Sequence, residues 1–275
     1  MTSTQPEQTD QRAGTYIYCV TSAQSAPATQ TDGRALGISG INGEPVRAVT
    51  SSDLAAIVSD SPYDSYDVTR EGLTAHEQVV EKVMEQADVL PVSFGTVAED
   101  DQAVRQQLLE ALSNDLHQAL NQVHGRGELG VKVLWVKDRL FEEIAAEDES
   151  IQALREQIAG TTPEQTYDER TQLGELIAHA IERKSEQEAT NVLNALQPAV
   201  VDTRVGNNFT DLMILNASFL VDKQQIPAFE AQLDRLRQMQ NGRLIVEYTG
   251  LLPPYNFVSI VTGTEEGSQD VEVAR

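Results

Sequence analysis

Residues 128–136 read ELGVKVLWV, an apolar run that predicts a β-strand at the start of a second structural unit. Beyond this run the hydrophobic pattern changes in the order helix, strand, strand, helix, strand. The resulting βαββαβ succession is typical of the ferredoxin-like fold. We therefore predict a ferredoxin-like domain over residues 127–262, with a long helix between its first two strands.

Local signals place the helices and strands of this domain. Thr162 is followed by Pro163 and, three residues on, by Gln165, a capping-box pattern that predicts the start of the long helix. Pro198 marks its end, and residues 182–191 are nearly all polar, so we expect the middle of this helix to be solvated. The other predicted elements are helices at 151–158 and around Phe229, Leu233 and Leu236, and strands at 199–205, 212–221, 243–248 and 257–261.

The preceding residues predict a separate domain at 14–126. A strand at 15–20 and two β-branched runs at 46–50 and 54–59 are followed by helical spacing from Leu73 to about Ala87. A short strand at 90–94 and a second amphipathic helix ending at Gly125 complete the domain. The fold class is thus α+β, with two domains of antiparallel sheets packed with helices. Residues 1–13 and the acidic tail 263–275 lack a core-forming pattern, and we expect both to be disordered.

Charge limits the classes of partner. The chain has 275 residues, with 20 Lys and Arg against 43 Asp and Glu, a formal net charge of -23. Such a field repels nucleic-acid phosphates and anionic lipid headgroups, so we expect neither as a partner. An acidic surface with few lysines also favours a halophilic source. The most apolar segment, 212–221, is about half of what a membrane span needs, and no secretory signal precedes the first strand, so we expect a cytoplasmic protein.

Residue types that carry chemistry occur without their usual spacing. The single cysteine, Cys19, lies in an apolar run typical of a buried core thiol. A GxGxxG pattern occurs at Gly125, Gly127 and Gly130, but a helix precedes it and a strand follows, the reverse of a dinucleotide site. The pattern therefore favours a helix cap and a domain joint. We predict no catalytic residue and no cofactor site.

The four histidines also lack the spacing of a metal or catalytic site. None forms an HxH or HExxH pattern, and the pair His117 and His124 has no evident third ligand, so we predict no metal. His76 lies on the apolar face of its helix and is more typical of a hydrogen-bonded core histidine than of a general base.

A Pro-rich segment near the C-terminus, YTGLLPPYNF at residues 248–257, is the candidate partner site. Two leucines precede two prolines in a connection too short to bury itself regularly. They either fold back over a sheet edge as a lid on the core or form a patch that binds a partner. The candidate contact residues are Leu251, Leu252, Pro253, Pro254 and Tyr255.

Four segments, in this order, resemble the gas vesicle F/L family: LPVSFGT at 90–96, ELGVKVLWV at 128–136, NASFLVD at 216–222 and YTGLLPPYNF. Length and acidity favour the L branch of that family. The resemblance implies a two-domain α+β build with ferredoxin-like elements and a non-catalytic role in gas vesicle assembly. The partners it implies are the hydrophobic shell protein and other accessory gas vesicle proteins, bound while the wall is nucleated or extended. A ferredoxin-like small-molecule sensor or enzyme is the alternative, because this fold hosts many functions.

Overall fold

The structure is a computed structural model that describes residues 14–26, 39–258, 260–261 and 272–273. These residues form two compact units. The first comprises the described residues up to Glu128 together with those from Leu251 onward, and the second comprises Leu129–Gly250. The predicted boundary at 126/127 lies two residues from the observed one. The chain after Gly250, however, groups with the first unit, whereas the sequence placed it in the second.

A five-stranded antiparallel sheet forms the centre of the first unit. Its strand order is β2-β3-β1-β4, and β5 also pairs with β1. The central strand β1 is buried from its first residue to its eighth. The strands are β1 (Gly14–Ser22), β2 (Arg47–Ser51), β3 (Leu54–Ser61), β4 (Leu90–Pro91) and β5 (Val97–Ala98).

Helices cover both faces of this sheet. Helix α1 (Arg70–Met84) begins where the Thr69 side chain accepts a hydrogen bond from Gly72 N, and it buries Val79, Val80 and Val83 with Tyr16 and Tyr18. The opposite face packs against α2 (Asp101–Ala103), a π-helical segment (Val104–Glu110) and α3 (Ser113–Val123). A bulge in β1 between Ile17 and Cys19 places Tyr18 and Cys19 on the same, α1-facing side.

The second unit confirms the ferredoxin-like prediction. Its sheet has the order β7-β8-β6-β9, so the first and third strands of the βαββαβ succession lie at the centre and the second and fourth at the edges. The helices pack on one face of this sheet around Trp135, Phe219 and Phe229. The elements are β6 (Arg126–Trp135), α4 (Lys137–Glu147), α5 (Glu149–Ile158), α6 (Tyr167–Leu196), β7 (Asp202–Val205), β8 (Met213–Asp222), α7 (Ile226–Met239) and β9 (Leu244–Leu252).

The predicted start of the long helix is wrong. Gln165 Oε1 does accept from Thr162 N at 3.3 Å, as in a capping box, but residues 162–166 form turns and α6 begins only at Tyr167. The Thr166 hydroxyl instead donates a hydrogen bond to Thr162 O. It also accepts from Arg170 Nε and lies 3.1 Å from the Thr161 hydroxyl. The side-chain bond of a cap is therefore local and does not by itself set the first helical residue.

The polar middle of α6 is only partly solvated, because ion pairs hold it in place. Arg243 donates to Glu143 of α4 and, at 2.8 Å, to Glu188 of α6, and its guanidinium lies 5.6 Å from the centre of the Trp135 ring. Lys184 pairs with Glu143 at 3.2 Å. Polar contacts thus replace apolar packing along this part of the helix.

The last part of the chain departs from the predicted strand at 257–261. Phe257 lies in a turn, and among the described residues of this range Ile260–Val261 form a strand, β10, which pairs with β11 (Glu272–Val273). This short pairing involves two residues of the tail that was expected to be disordered. The other residues of that tail, 263–271 and 274–275, lie outside the described residues. Residues 1–13 also lie outside them.

Candidate partner-binding site

Leu251 is the exposed apolar residue of the YTGLLPPYNF segment. It lies near the end of β9 and is 41% exposed. Gly127 lies directly beneath it: a Cβ atom added to Gly127 would be 1.9 Å from Leu251 Cδ1. Absence of a side chain at position 127 therefore creates the space in which Leu251 rests.

The two prolines anchor the segment in the first unit. Pro253 and Pro254 are buried, and two tight bonds follow them, from Tyr255 N to Pro253 O at 2.8 Å and from Phe257 N to Pro254 O at 3.1 Å. Phe257 and Val258 are buried immediately afterwards, Val258 in the core beneath α3. The segment is thus partly a lid on the core, one of the two alternatives that the sequence left open.

Glu128 holds the part of the segment that follows the prolines. It is only 3% exposed, and its carboxylate accepts from Asn256 N at 2.9 Å and from Asn256 Nδ2 at 2.6 Å. A buried carboxylate that accepts two hydrogen bonds is compensated for the water it has lost. The sequence analysis did not single out Glu128 or Asn256. An acidic residue at the start of an apolar strand was the signal available for Glu128.

The five predicted contact residues are therefore not equivalent. Leu251 is exposed, Leu252 and Tyr255 are half-buried, and Pro253 and Pro254 are buried. The Tyr255 hydroxyl is itself buried and has no hydrogen-bond partner among the described residues, and its burial raises the Tyr255 pKa. Leu251 is thus the most exposed of the five side chains.

The LPVSFGT segment is held by a buried network. Gly95 N donates to the Tyr16 hydroxyl at 3.0 Å, which in turn lies 3.0 Å from His76 Nδ1, while His76 Nε2 lies 3.0 Å from Val92 O. A carbonyl oxygen only accepts, so Nε2 carries the proton and Nδ1 accepts from Tyr16. Burial lowers the pKa of His76 to about 4, and the histidine is neutral. This is the core role that the sequence predicted.

The other residues of chemical interest occupy structural or surface positions. Cys19 is fully buried, which raises the pKa of its thiol well above the usual value, and a thiol that stays protonated is a poor nucleophile. His117 pairs with Asp53 at 2.8 Å and His124 with Asp88 at 2.8 Å, each in an exposed position. These pairs join neighbouring loops and helices at the surface.

Each of the three glycines of the GxGxxG pattern has a different structural role. Gly125 follows α3 with a φ of +67°, the left-handed conformation typical of a residue that ends a helix. Gly127 makes room for Leu251, and a Cβ at Gly130 would lie 3.4 Å from Thr249 Cβ. Gly127 and Gly130 both lie within strand β6. No helix N-terminus follows them, so the pattern does not form a phosphate-binding loop.

Within the described ranges, no three His, Cys, Asp or Glu side chains come close enough together to hold a metal ion. Among the helices that the structure describes, none is both long and apolar enough to cross a lipid bilayer.

The fold and this site define a two-unit α+β protein whose second unit is ferredoxin-like and whose C-terminal segment returns to dock on the first. The family model described as "Gas vesicle synthesis protein GvpL/GvpF" matches residues 14–259, and the chain belongs to this family. Family membership supports a gas vesicle accessory role, and the relatives below are likewise named as gas vesicle proteins.

The chain is 32% identical to gas vesicle protein F of Streptomyces sp. (strain CB03234) over 217 residues, 78% of this chain and 88% of that protein. It is 26% identical to gas vesicle protein L of the same strain over 268 residues, 89% of this chain and 92% of that protein. The crystal structure of GvpF from Anabaena sp. PCC7120 superposes with a TM-score of 0.77 at 23% identity, covering 90% of this chain and 99% of that one, which shows a shared fold. The L branch favoured by length and acidity is not supported by these relatives.

Proposed function

We propose that this protein binds the hydrophobic gas vesicle shell protein, together with other accessory gas vesicle proteins, while the wall is nucleated or extended. It acts by binding and release, without catalysis, in the cytoplasm and at the gas vesicle. Leu251, Leu252 and Tyr255 form the contact surface, and Pro253 and Pro254 hold that surface in position. Within the family we assign it an F-type role.

The observation that carries this proposal is the support beneath Leu251. A large apolar side chain that is 41% exposed lies over Gly127, while Pro253 and Pro254 after it are buried and Asn256 is bonded to Glu128. An exposed apolar group on a rigid support loses little conformational freedom when a partner covers it. Such a small patch on an acidic chain binds an apolar partner without making the chain itself aggregate.

The test is a pull-down of the shell protein by the full chain in molar KCl. The variant Leu251→Asp makes the patch polar without touching the buried prolines. Ile245→Asp is the matched control, because Ile245 is also an exposed apolar residue on β9 and is 49% exposed. We expect Leu251→Asp to lose binding and Ile245→Asp to keep it.

Each other outcome has a definite meaning. Equal binding by both variants moves the interface away from Leu251. If the wild-type chain neither binds the shell protein nor changes its aggregation, the assembly role is wrong and the sensor or enzyme alternative returns. A chain that stays with washed, intact vesicles is a component of the wall, whereas release after assembly indicates a carrier.

A further inference from the structure

A second surface, unrelated to the C-terminal segment, lies in the ferredoxin-like unit. Helix α6 lies on one side of an open groove of about 780 Å³, and the connection between β7 and β8 lies on the other. Its apolar lining comes from both sides of the groove. The main apolar lining residues are Ile181, Ala189, Phe209, Met213 and Ile214.

Phe209 is the most unusual residue of this groove. It is 72% exposed, although it belongs to a connection that is internally bonded. Asn216 Nδ2 donates to Asn207 O at 3.1 Å, and Met213 N donates to Thr210 O at 3.0 Å. An aromatic side chain displayed on a bonded loop beside an apolar groove is typical of an anchor for a partner.

The groove is lined by three carboxylates and one histidine, His179, whose Nδ1 lies 3.8 Å from Glu182 Oε2. Glu182 and Glu186 lie one turn apart on α6, and Asp211 faces them from the β7–β8 connection. The lining contains no lysine and no arginine. An apolar floor with an acidic rim complements a segment whose apolar side chains form a stripe and whose basic side chains lie beside that stripe.

We propose that this groove binds a basic amphipathic helix of a partner protein. The lining residues of α6 run from Ala178 to Ala189, a length of about 16 Å, which matches three turns of a partner helix. A second copy of this chain is a poor occupant, because each copy has a formal net charge of -23 and the rim itself is acidic. Lysines or arginines of the partner would pair with Glu182, Glu186 and Asp211, and its apolar stripe would cover Phe209.

This surface is independent of the proposed function. It lies in the second unit, whereas Leu251 and Tyr255 belong to the first. A failure of the Leu251 experiment therefore leaves the groove proposal intact, and the reverse also holds.

The probe is a fluorescently labelled peptide of about five helical turns built from Leu and Lys, with all leucines on one face. Its anisotropy is titrated with the full chain. One control peptide replaces each Lys with Glu, and another keeps the composition but scrambles the order, so that no apolar face forms. We expect the amphipathic basic peptide to bind at least about tenfold more tightly than either control.

Variants separate groove binding from attraction to an acidic chain in general. Glu182→Lys/Glu186→Lys is expected to weaken binding at least about tenfold. The matched control, Asp138→Lys/Glu142→Lys, makes the same charge change at the same spacing on α4 and is expected to stay within about twofold of wild type. Phe209→Ser, with an unchanged circular dichroism spectrum, is expected to weaken binding as well.

The proposal is overturned by any of four results: no binding by the wild-type chain, equal binding of the basic and acidic peptides, equal losses in the two charge-reversal variants, or unchanged binding by Phe209→Ser. Self-association of the wild-type chain that Phe209→Ser abolishes would identify a second copy as the occupant and would also overturn it. Sedimentation velocity measures this last outcome.

Discussion

Gly127 and Leu251 share one space: the position that a Cβ atom of residue 127 would take is 1.9 Å from Leu251 Cδ1. The two residues lie on strands β6 and β9, which are neighbours in the sheet. The exposure and orientation of Leu251 therefore depend on a residue that contributes no side chain.

Gly127→Ala is expected to displace Leu251 while leaving the fold intact. The clash involves the end of a flexible side chain, so a change of rotamer relieves it, and an alanine suits a strand better than glycine does. We expect the free energy of unfolding in urea to change by less than about 1 kcal/mol. Shell-protein binding should fall markedly. A variant that binds normally would show that the position of Leu251 does not matter.

Glu128→Ala is expected to loosen the C-terminal segment. It removes the acceptor of two hydrogen bonds from Asn256 in a buried place, and such bonds to a charged group contribute about 1.5–3 kcal/mol each. We expect a loss of at least about 2 kcal/mol in urea unfolding, and a smaller loss for Glu128→Gln, which keeps one acceptor. Glu77→Ala, at an exposed glutamate of α1, serves as the control and should stay within about 0.5 kcal/mol of wild type.

His76 makes stability depend on pH in a defined direction. Burial lowers its folded pKa to about 4, below the unfolded value of about 6.5, so between these values the unfolded chain binds more protons. The contribution is fully present above pH 6.5 and is lost as the pH falls towards 4, by at most about 1.4 kcal/mol per pH unit. The slope should be shallower in His76→Gln.

The pH series needs one comparison to isolate His76. Hydrogen bonding to Asp53 raises the pKa of His117, so His117 acts in the opposite direction, and it does so above about pH 6.5, where its stabilisation is lost as the pH rises. Because both chains retain His117, the difference between wild type and His76→Gln reports His76 alone. Parallel slopes would contradict a buried, neutral histidine.

The ion pair between Arg243 and Glu143 of α4 should show measurable coupling. A double-mutant cycle of Arg243→Met and Glu143→Gln is expected to give a coupling free energy of about 1 kcal/mol, because Arg243 contacts Glu143 with two nitrogens and stacks on Trp135. The exposed pair Arg139 and Glu142 on α4 should give no more than about 0.5 kcal/mol. Equal coupling in both cycles would mean that the network adds nothing beyond a surface pair.

Salt dependence tests the expectation, drawn from the acidic composition alone, that the fold is adapted to high salt. A formal net charge of -23 destabilises a compact state by self-repulsion, which added ions screen. We expect the free energy of unfolding to rise from low to molar KCl. A fold that is equally stable without salt would contradict the adaptation.

Hydrophobic periodicity predicted those elements whose buried residues recur at regular spacing within one stretch of sequence. The β-strand at ELGVKVLWV was placed within two residues, because Leu129, Val131, Val133 and Trp135 alternate towards one core. The ferredoxin-like order followed from the succession of such runs. The start of α6 was wrong because Thr162 forms its side-chain bond in a turn that precedes the helix.

The geometry of the candidate site could be predicted only in part, because it depends on contacts between distant residues. Asn256 and Glu128 are 128 positions apart, and nothing near either residue indicates that they meet. Exposure of Leu251 likewise depends on Gly127 in another strand. The prolines indicated an irregular connection, but only the three-dimensional structure shows that they are buried.

The return of the chain after Gly250 also constrains the order of events on the ribosome. Val258 belongs to the same core as Ile17 and Leu116, yet it is synthesised about 130 residues after Glu128. At typical elongation rates this interval is on the order of 10 s. Throughout that time the nascent first unit lacks Val258, so its hydrophobic core is complete only after that residue has been synthesised.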